Sequence, residues 1–129
     1  MQEQDLFEYA VIRLVPKVER EEFMNVGVIL YCAKQKYLKT RIELDEQRFS
    51  LFCSSIDLEE LRHHLNAFEN ICRGGKEGGP IGKLDMASRF RWLTATRSTV
   101  LQSSKVHPGF CVDPEEKLQQ LYSQMVLLP

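Results

Sequence analysis

The run Val26–Ala33, VGVILYCA, constrains the fold more than any other stretch of the 129 residues. A strand with one wet face alternates apolar and polar side chains. This run has no polar interruption, so it is expected to be buried on both faces and to lie centrally in a sheet. Such a strand needs neighbours, and two segments supply them. Phe7–Val15, FEYAVIRLV, is rich in β-formers and stops at Pro16, which cannot donate to a ladder. Tyr37–Leu44, YLKTRIEL, alternates as a half-wet strand should. The short polar link Lys34-Gln35-Lys36 makes it the antiparallel hairpin partner of the central run.

Helical signals follow. Asp45 is placed to cap a short helix carrying Phe49, Phe52 and Cys53. Asp57, with Glu60 three residues on, has the spacing of a capping box in which Asp replaces Ser or Thr. Behind it Leu58, Leu61, Leu65, Phe68 and Cys72 recur at steps of three and four, the strongest amphipathic pattern in the chain, and Gly74-Gly75 ends it. Residues 74–82, GGKEGGPIG, hold five of the seven glycines. The expectation is a flexible loop inside a single globular domain spanning 1–129, since too few residues follow to build a second core. Its spacing fits neither a phosphate-binding P-loop nor a dinucleotide fingerprint.

In Ala87–Thr94, ASRFRWLT, Phe90 and Trp92 alternate as in a strand, whereas Ala87, Phe90 and Leu93 step as on a helix. The reading adopted is one or two helical turns, then a strand over Thr99–Ser104. Asp113-Pro114-Glu115-Glu116 is a helix start with an N-cap, proline at the first position and acids in the first turn. Leu118, Leu121, Tyr122, Met125 and Val126 form that helix's buried stripe. The expected class is α+β, a small antiparallel sheet of about four strands with helices packed mainly on one face.

Apolar residues make up 43% of the chain and charged residues 27%, enough for one core without a disulfide or metal staple. The longest apolar run is far short of the roughly 20 residues of a membrane span. The opening MQEQDLFEY lacks the basic and apolar regions of a signal peptide. A cytoplasmic protein without a membrane partner is expected. Cys32, Cys53, Cys72 and Cys111 form no C-x-x-C pair and read as small buried hydrophobes in a reducing compartment. Cys111 with His107 is too sparse for a zinc site, so no metal and no cofactor are expected.

Net charge is −1, but its distribution is uneven. Residues 83–107 carry Lys83, Arg89, Arg91, Arg97 and Lys105 against Asp85 alone. With Trp92, Ser98 and His107 they make a constellation suited to phosphate forks and base stacking, and the competing reading is a solvated basic face beside a core tryptophan. Arg13 interrupts the apolar Val11–Val15: either the strand lies at an edge and the side chain snorkels into water, or it is buried and needs a partner. Glu21 and Glu22 are the candidates, yet adjacent residues in an extended segment point in opposite directions, so they cannot form a facing acid pair. Asn25 is a turn former, and Gly27 inside a strand signals a bulge or a close approach. His107, in a loop before the last helix, is the histidine best placed to act as a base, whereas His63 and His64 read as surface residues. Ser98, Ser103 and Ser104 lie in no nucleophile-elbow pattern. No catalytic residue is assigned.

YAVIRLVP followed by EREEFMNVGVIL, and FRWLTATRSTVLQSSKVHPG leading into DPEEKLQQLY, together resemble the bacterial family known as domain of unknown function 3037. The resemblance spans nearly the whole chain and is most distinctive over residues 9–30 and 90–122. The matching polar positions are Arg13, Glu22, Asn25, Gly27, Arg89, Trp92, Arg97, Ser98 and His107. The family brings no established activity. Its implied association is with a kinase-like protein related to the HipA toxin fold, hence an accessory role.

Three functional readings stand. The first is a non-enzymatic binding or accessory module acting on a protein partner. The second is a nucleic-acid or phosphate binder using Arg89, Arg91, Arg97 and Lys105, with Trp92 as a stacking platform. The third is a hydrolase with Glu22 and His107 as acid and base and Arg13 or Arg97 on an oxyanion.

Overall fold

The computed structural model describes residues 3–52, 56–97 and 99–127. Its strands are β1 (Asp5–Leu14), β2 (Met24–Cys32), β3 (Tyr37–Ile42), β4 (Leu101–Ser103) and β5 (His107–Cys111). Its helices are α1 (Glu46–Phe52), α2 (Leu58–Arg73), the single turn α3 (Gly79–Gly82), α4 (Met86–Leu93) and α5 (Pro114–Met125). The architecture is α+β. All five strands are antiparallel to their neighbours, in the order β3-β2-β1-β4, with β5 also on β1.

The VGVILYC run occupies the predicted central place. β2 lies between β1 and β3, and Val28, Ile29, Leu30 and Cys32 have no exposed surface. Its two faces feed two separate cores. Met24, Val26 and Ile29 pack with Ala10, Ile12 and Leu14 of β1 under α1, α2 and α4. Val28, Leu30 and Cys32 pack with Phe7 and Cys111 under Leu118, Leu121 and Tyr122 of α5. Helices thus gather mainly on one face, with α5 alone on the other. Each fully buried aliphatic side chain contributes about 1.5–3 kcal/mol.

Met24, Val26 and Ile29 share one core although strict alternation would put Ile29 on the opposite face. A bulge resolves this. Ile12 pairs with Gly27 but Arg13 with Asn25, so Val26 is the extra residue and the parity of the strand changes there. Gly27 is also where a Cβ would meet the Arg41 carbonyl oxygen and Ile42 Cγ1, each at 2.7 Å. The glycine is therefore required by close approach as well.

The far side of β1 is shared by two strands. Asp5–Tyr9 pairs with β5 and Ile12–Leu14 with β4. Buried Ser104 bridges the gap: Val11 N–H donates to its Oγ and Ser104 N–H donates to the Val11 carbonyl, both at 2.8 Å. The sequence predicts one strand over Thr99–Ser104 and then a loop carrying His107. His107 instead begins β5, because Tyr9 and its neighbours offer an otherwise unpaired edge.

The caps follow the sequence closely. Asp45 accepts from Gln47 and Arg48 N–H, Asp57 from Glu59, Asp85 from Ser88 and Asp113 from Glu115 and Glu116. In the Asp57 cap, Glu60 does not turn back to the cap but faces His64, 3.9 Å away. Cys53, assigned to the first short helix, lies outside the described residues. Cys32, Cys72 and Cys111 are buried thiols, as expected.

Residues 74–82 are not an open loop. A 3-10 turn at Lys76–Gly78 runs into α3, and Gly75 N–H closes the segment on the Gly82 carbonyl at 2.8 Å. Its glycines permit this tightness: a Cβ on Gly82 would lie 2.5 Å from the Gly75 carbonyl oxygen.

Candidate functional site

The basic segment 83–107 divides into residues with different fates. On α4 the helical period prevails over the alternating one, so Phe90 and Leu93 enter the core and Trp92 points outward, 44% exposed. Arg89 falls on the inward side and is only 8% exposed. Its Nε donates to the Leu84 carbonyl at 3.1 Å, and its Nη1 to the Ile71 and Cys72 carbonyls at 3.3 and 2.9 Å. Two of these are terminal carbonyls of α2, which lack helical partners and carry the negative end of the helix dipole. Gly74 makes room: at φ +83° it holds a conformation few other residues take, and a Cβ there would sit 2.2 Å from Arg89 Nη1. Arg89, expected as an anion ligand, is thus turned to backbone carbonyls inside the fold. Its Nε and Nη1 donate to the backbone, which makes the residue an internal clamp between α2 and α4. Beside it burial pushes the Cys72 thiol up to about 12, against the opposing pull of Arg89.

Arg91 is exposed and faces Glu8 of β1 at 3.7 Å. Arg97 lies over the Trp92 ring at 4.6 Å and donates to the Trp92 carbonyl. Lys105 is exposed, and Ser98 lies outside the described residues. The three arginines thus have different surroundings: one is internal, one is paired with an acid and one is laid on an aromatic ring, while Lys83 and Lys105 are exposed.

The remaining candidates are distributed over the other half of the molecule. Arg13 is half-buried and meets neither glutamate; its guanidinium lies over the Phe23 ring at 4.1 Å. Glu22 accepts from Arg20 Nε at 2.7 Å, and Glu21 takes a turn conformation with φ +58°. Asn25 Nδ2 donates to the Met125 carbonyl at 3.0 Å, tying β2 to the end of α5. His107 is exposed on β5, its ring 5.4 Å from that of Tyr9. Glu22 is turned to Arg20 and His107 to Tyr9, so the two are not brought together as acid and base. Among the described residues no three of His, Cys, Asp and Glu gather as a metal-ligand group.

What the fold does build around Trp92 is a cleft of about 650 Å³ between α2 and α4. Leu61 and Phe68 of α2, Leu93 of α4, and Val100 and Leu101 form an apolar floor. Asp57, Glu60 and His64 stand on one rim, Trp92 and Arg97 on the other. The α2 side of this cleft was missed in the sequence, where His64 reads as an ordinary surface histidine. The available signal was Ala67, a small residue beside Phe68 where the helix leaves space.

The family described as "Protein of unknown function (DUF3037)" matches residues 9–126. The chain belongs to it. The match takes in every strand but the first residues of β1, and it includes the Arg89 clamp, the Trp92 cleft and the Gly27 bulge. No curated protein matches the chain, and no solved structure does. No described helix is long and apolar enough to cross a membrane.

Proposed function

We propose that this family member is a non-enzymatic binding module that docks a protein partner in the cleft between α2 and α4. The observation that supports it is a half-exposed tryptophan, braced by Arg97, on the rim of an apolar cleft. Large aromatics held rigidly beside a desolvated pocket are the usual anchors of protein interfaces, and arginine is the other residue enriched there. The acidic rim of Asp57 and Glu60 opposite Arg97 would orient a segment with apolar side chains and a basic residue at one end. A kinase-like protein of the HipA type, implied by the family resemblance, is the first partner to try.

The test is capture from the native host on tagged protein, wild type against Trp92→Ala, with and without nuclease. The reading expects a stoichiometric protein that survives nuclease and is lost from the variant. The nucleic-acid reading expects recovery of nucleic acid that falls steeply as salt rises. That result would replace the protein-docking reading, with Trp92 as a stacking surface.

A further inference from the structure

β3 ends the sheet, and its outer edge carries an unmet set of backbone groups. Glu43 N–H donates to the Val26 carbonyl at 2.9 Å, and Arg41 stands opposite Val28 and Lys39 opposite Leu30. Antiparallel pairing alternates, so these odd-numbered residues bond to β2 while the N–H and C=O groups of Leu38, Thr40 and Ile42 point away from the sheet. Among the described residues no backbone hydrogen bond reaches them. Native edges of this kind are commonly covered or blunted, because they template pairing with another chain. This one is not left flat to solvent. It forms the floor of a groove of about 670 Å³ walled by Glu69, Cys72 and Arg73 of α2 and by Glu115, Leu118 and Gln119 of α5.

From this geometry we infer that the β3 edge is a second docking site, which takes an extended segment of a protein partner as a sixth strand. Six residues of β3 give a floor roughly 20 Å long, the span of a short peptide strand. The edge is held still for this purpose from the α5 side: Tyr37 donates to Glu115 at 2.5 Å, Arg41 to Gln119 at 2.7 Å, and Tyr122 to Glu43. Basic Lys39, Arg41 and Arg73 are matched by Glu43, Glu69 and Glu115, so the groove does not select by net charge. Main-chain hydrogen bonds then carry the recognition, as in other cases of strand addition. The charged and polar walls argue against a second copy of this chain, since a stable copy-to-copy interface buries a larger and more apolar area. The site shares no residue with the Trp92 cleft, so its failure and that of the cleft are separable.

The probe is a random seven-residue peptide library displayed on phage and selected on the full chain, followed by amide hydrogen exchange with a selected synthetic peptide. In the free protein the amides of Leu38, Thr40 and Ile42 should exchange at least tenfold faster than those of Lys39 and Arg41. Bound peptide should slow these three specifically. N-methylation of alternate peptide residues should abolish binding, and Thr40→Pro, which removes an outward N–H, should reduce it at least tenfold; the control is Thr40→Val, which loses the same Oγ1 donation to the Val28 carbonyl but keeps the N–H. If Thr40→Pro fails to fold, the methylated peptide still decides. Failure to enrich peptides, enriched peptides that leave the three amides unchanged, or protection arising from concentration-dependent dimerisation without peptide would each overturn the proposal. Loss of binding with Trp92→Ala but not with N-methylation would assign the peptides to the other cleft and overturn it too.

Discussion

Two grooves flank α2 and present different physics to a ligand. The cleft beside α4 presents side chains: an apolar floor, a braced tryptophan and an acidic rim. The groove beside β3 presents a backbone edge between charged walls that nearly cancel. A cleft of the first kind discriminates partners by shape and apolar burial, and one of the second kind takes its affinity from extended main chain, with alternate side chains setting the preference. One helix can serve both because its inward stripe of Leu61, Leu65, Phe68 and Cys72 anchors it to the sheet and leaves two flanks free. What fixes its far end is Arg89, so the comparison between the grooves depends on an arginine in neither of them.

The most disruptive change should therefore be Arg89→Ala. It leaves three carbonyls without their charged donor, and hydrogen bonds to charged groups are worth roughly 1.5–3 kcal/mol each, so a loss of about 3 kcal/mol is expected in denaturant unfolding. Arg89→Lys should recover only part of it, because an ammonium cannot fork to three separated carbonyls. Both grooves should weaken together in the destabilised protein.

Next in size is Trp92→Ala, which should cost about 2 kcal/mol of partner affinity by calorimetry while unfolding stays nearly unchanged. Peptide binding at β3 should be untouched, which separates the grooves. Arg97→Ala, removing only the brace over the ring, should cost about 0.5–1 kcal/mol at the same cleft. Equal loss from both changes would mean that Arg97 itself contacts the partner.

The smallest effect concerns pH at the β3 groove. The Tyr37 hydroxyl, with Lys39 nearby, holds Glu115 below the usual value of 4.5. A depressed carboxyl contributes stability that is complete above its unfolded value and is lost as pH falls through its folded one. Glu115 is exposed, so only a few tenths of a kcal/mol are expected. Unfolding stabilities of wild type and Glu115→Gln should differ at pH 7 and converge as pH falls below 4.5 through the lowered folded-state value. Binding in the Trp92 cleft should show no such trace of Glu115.

Much of the frame was legible in the sequence because it rests on local rules. Apolar continuity placed β2 at the centre, three- and four-residue steps gave α2 and α5, and aspartates marked the helix starts. Gly27 announced a bulge. The acids before β2 follow the same local rules: Glu21 makes a turn and Glu22 pairs with Arg20 two residues back.

Tertiary structure decided everything that depends on which residues distant in sequence come together. Arg89, Arg91 and Arg97 look equivalent in the chain, yet the packing of α4 puts Arg89 on the end of α2 and Arg91 beside Glu8, while Arg97, past the end of α4, lies over Trp92. Arg13, for which a carboxylate partner or a path to solvent were the two readings, lies over the Phe23 ring. The division of the last region between β4 and β5 follows from the edge that β1 offers them, and the openness of β3 from the strand order. The sequence determined the elements because helix periodicity, capping and strand alternation are set within a few residues. Only the tertiary structure decided the two grooves, because burial of a charge and exposure of a strand edge are properties of the neighbours that the chain folds onto them.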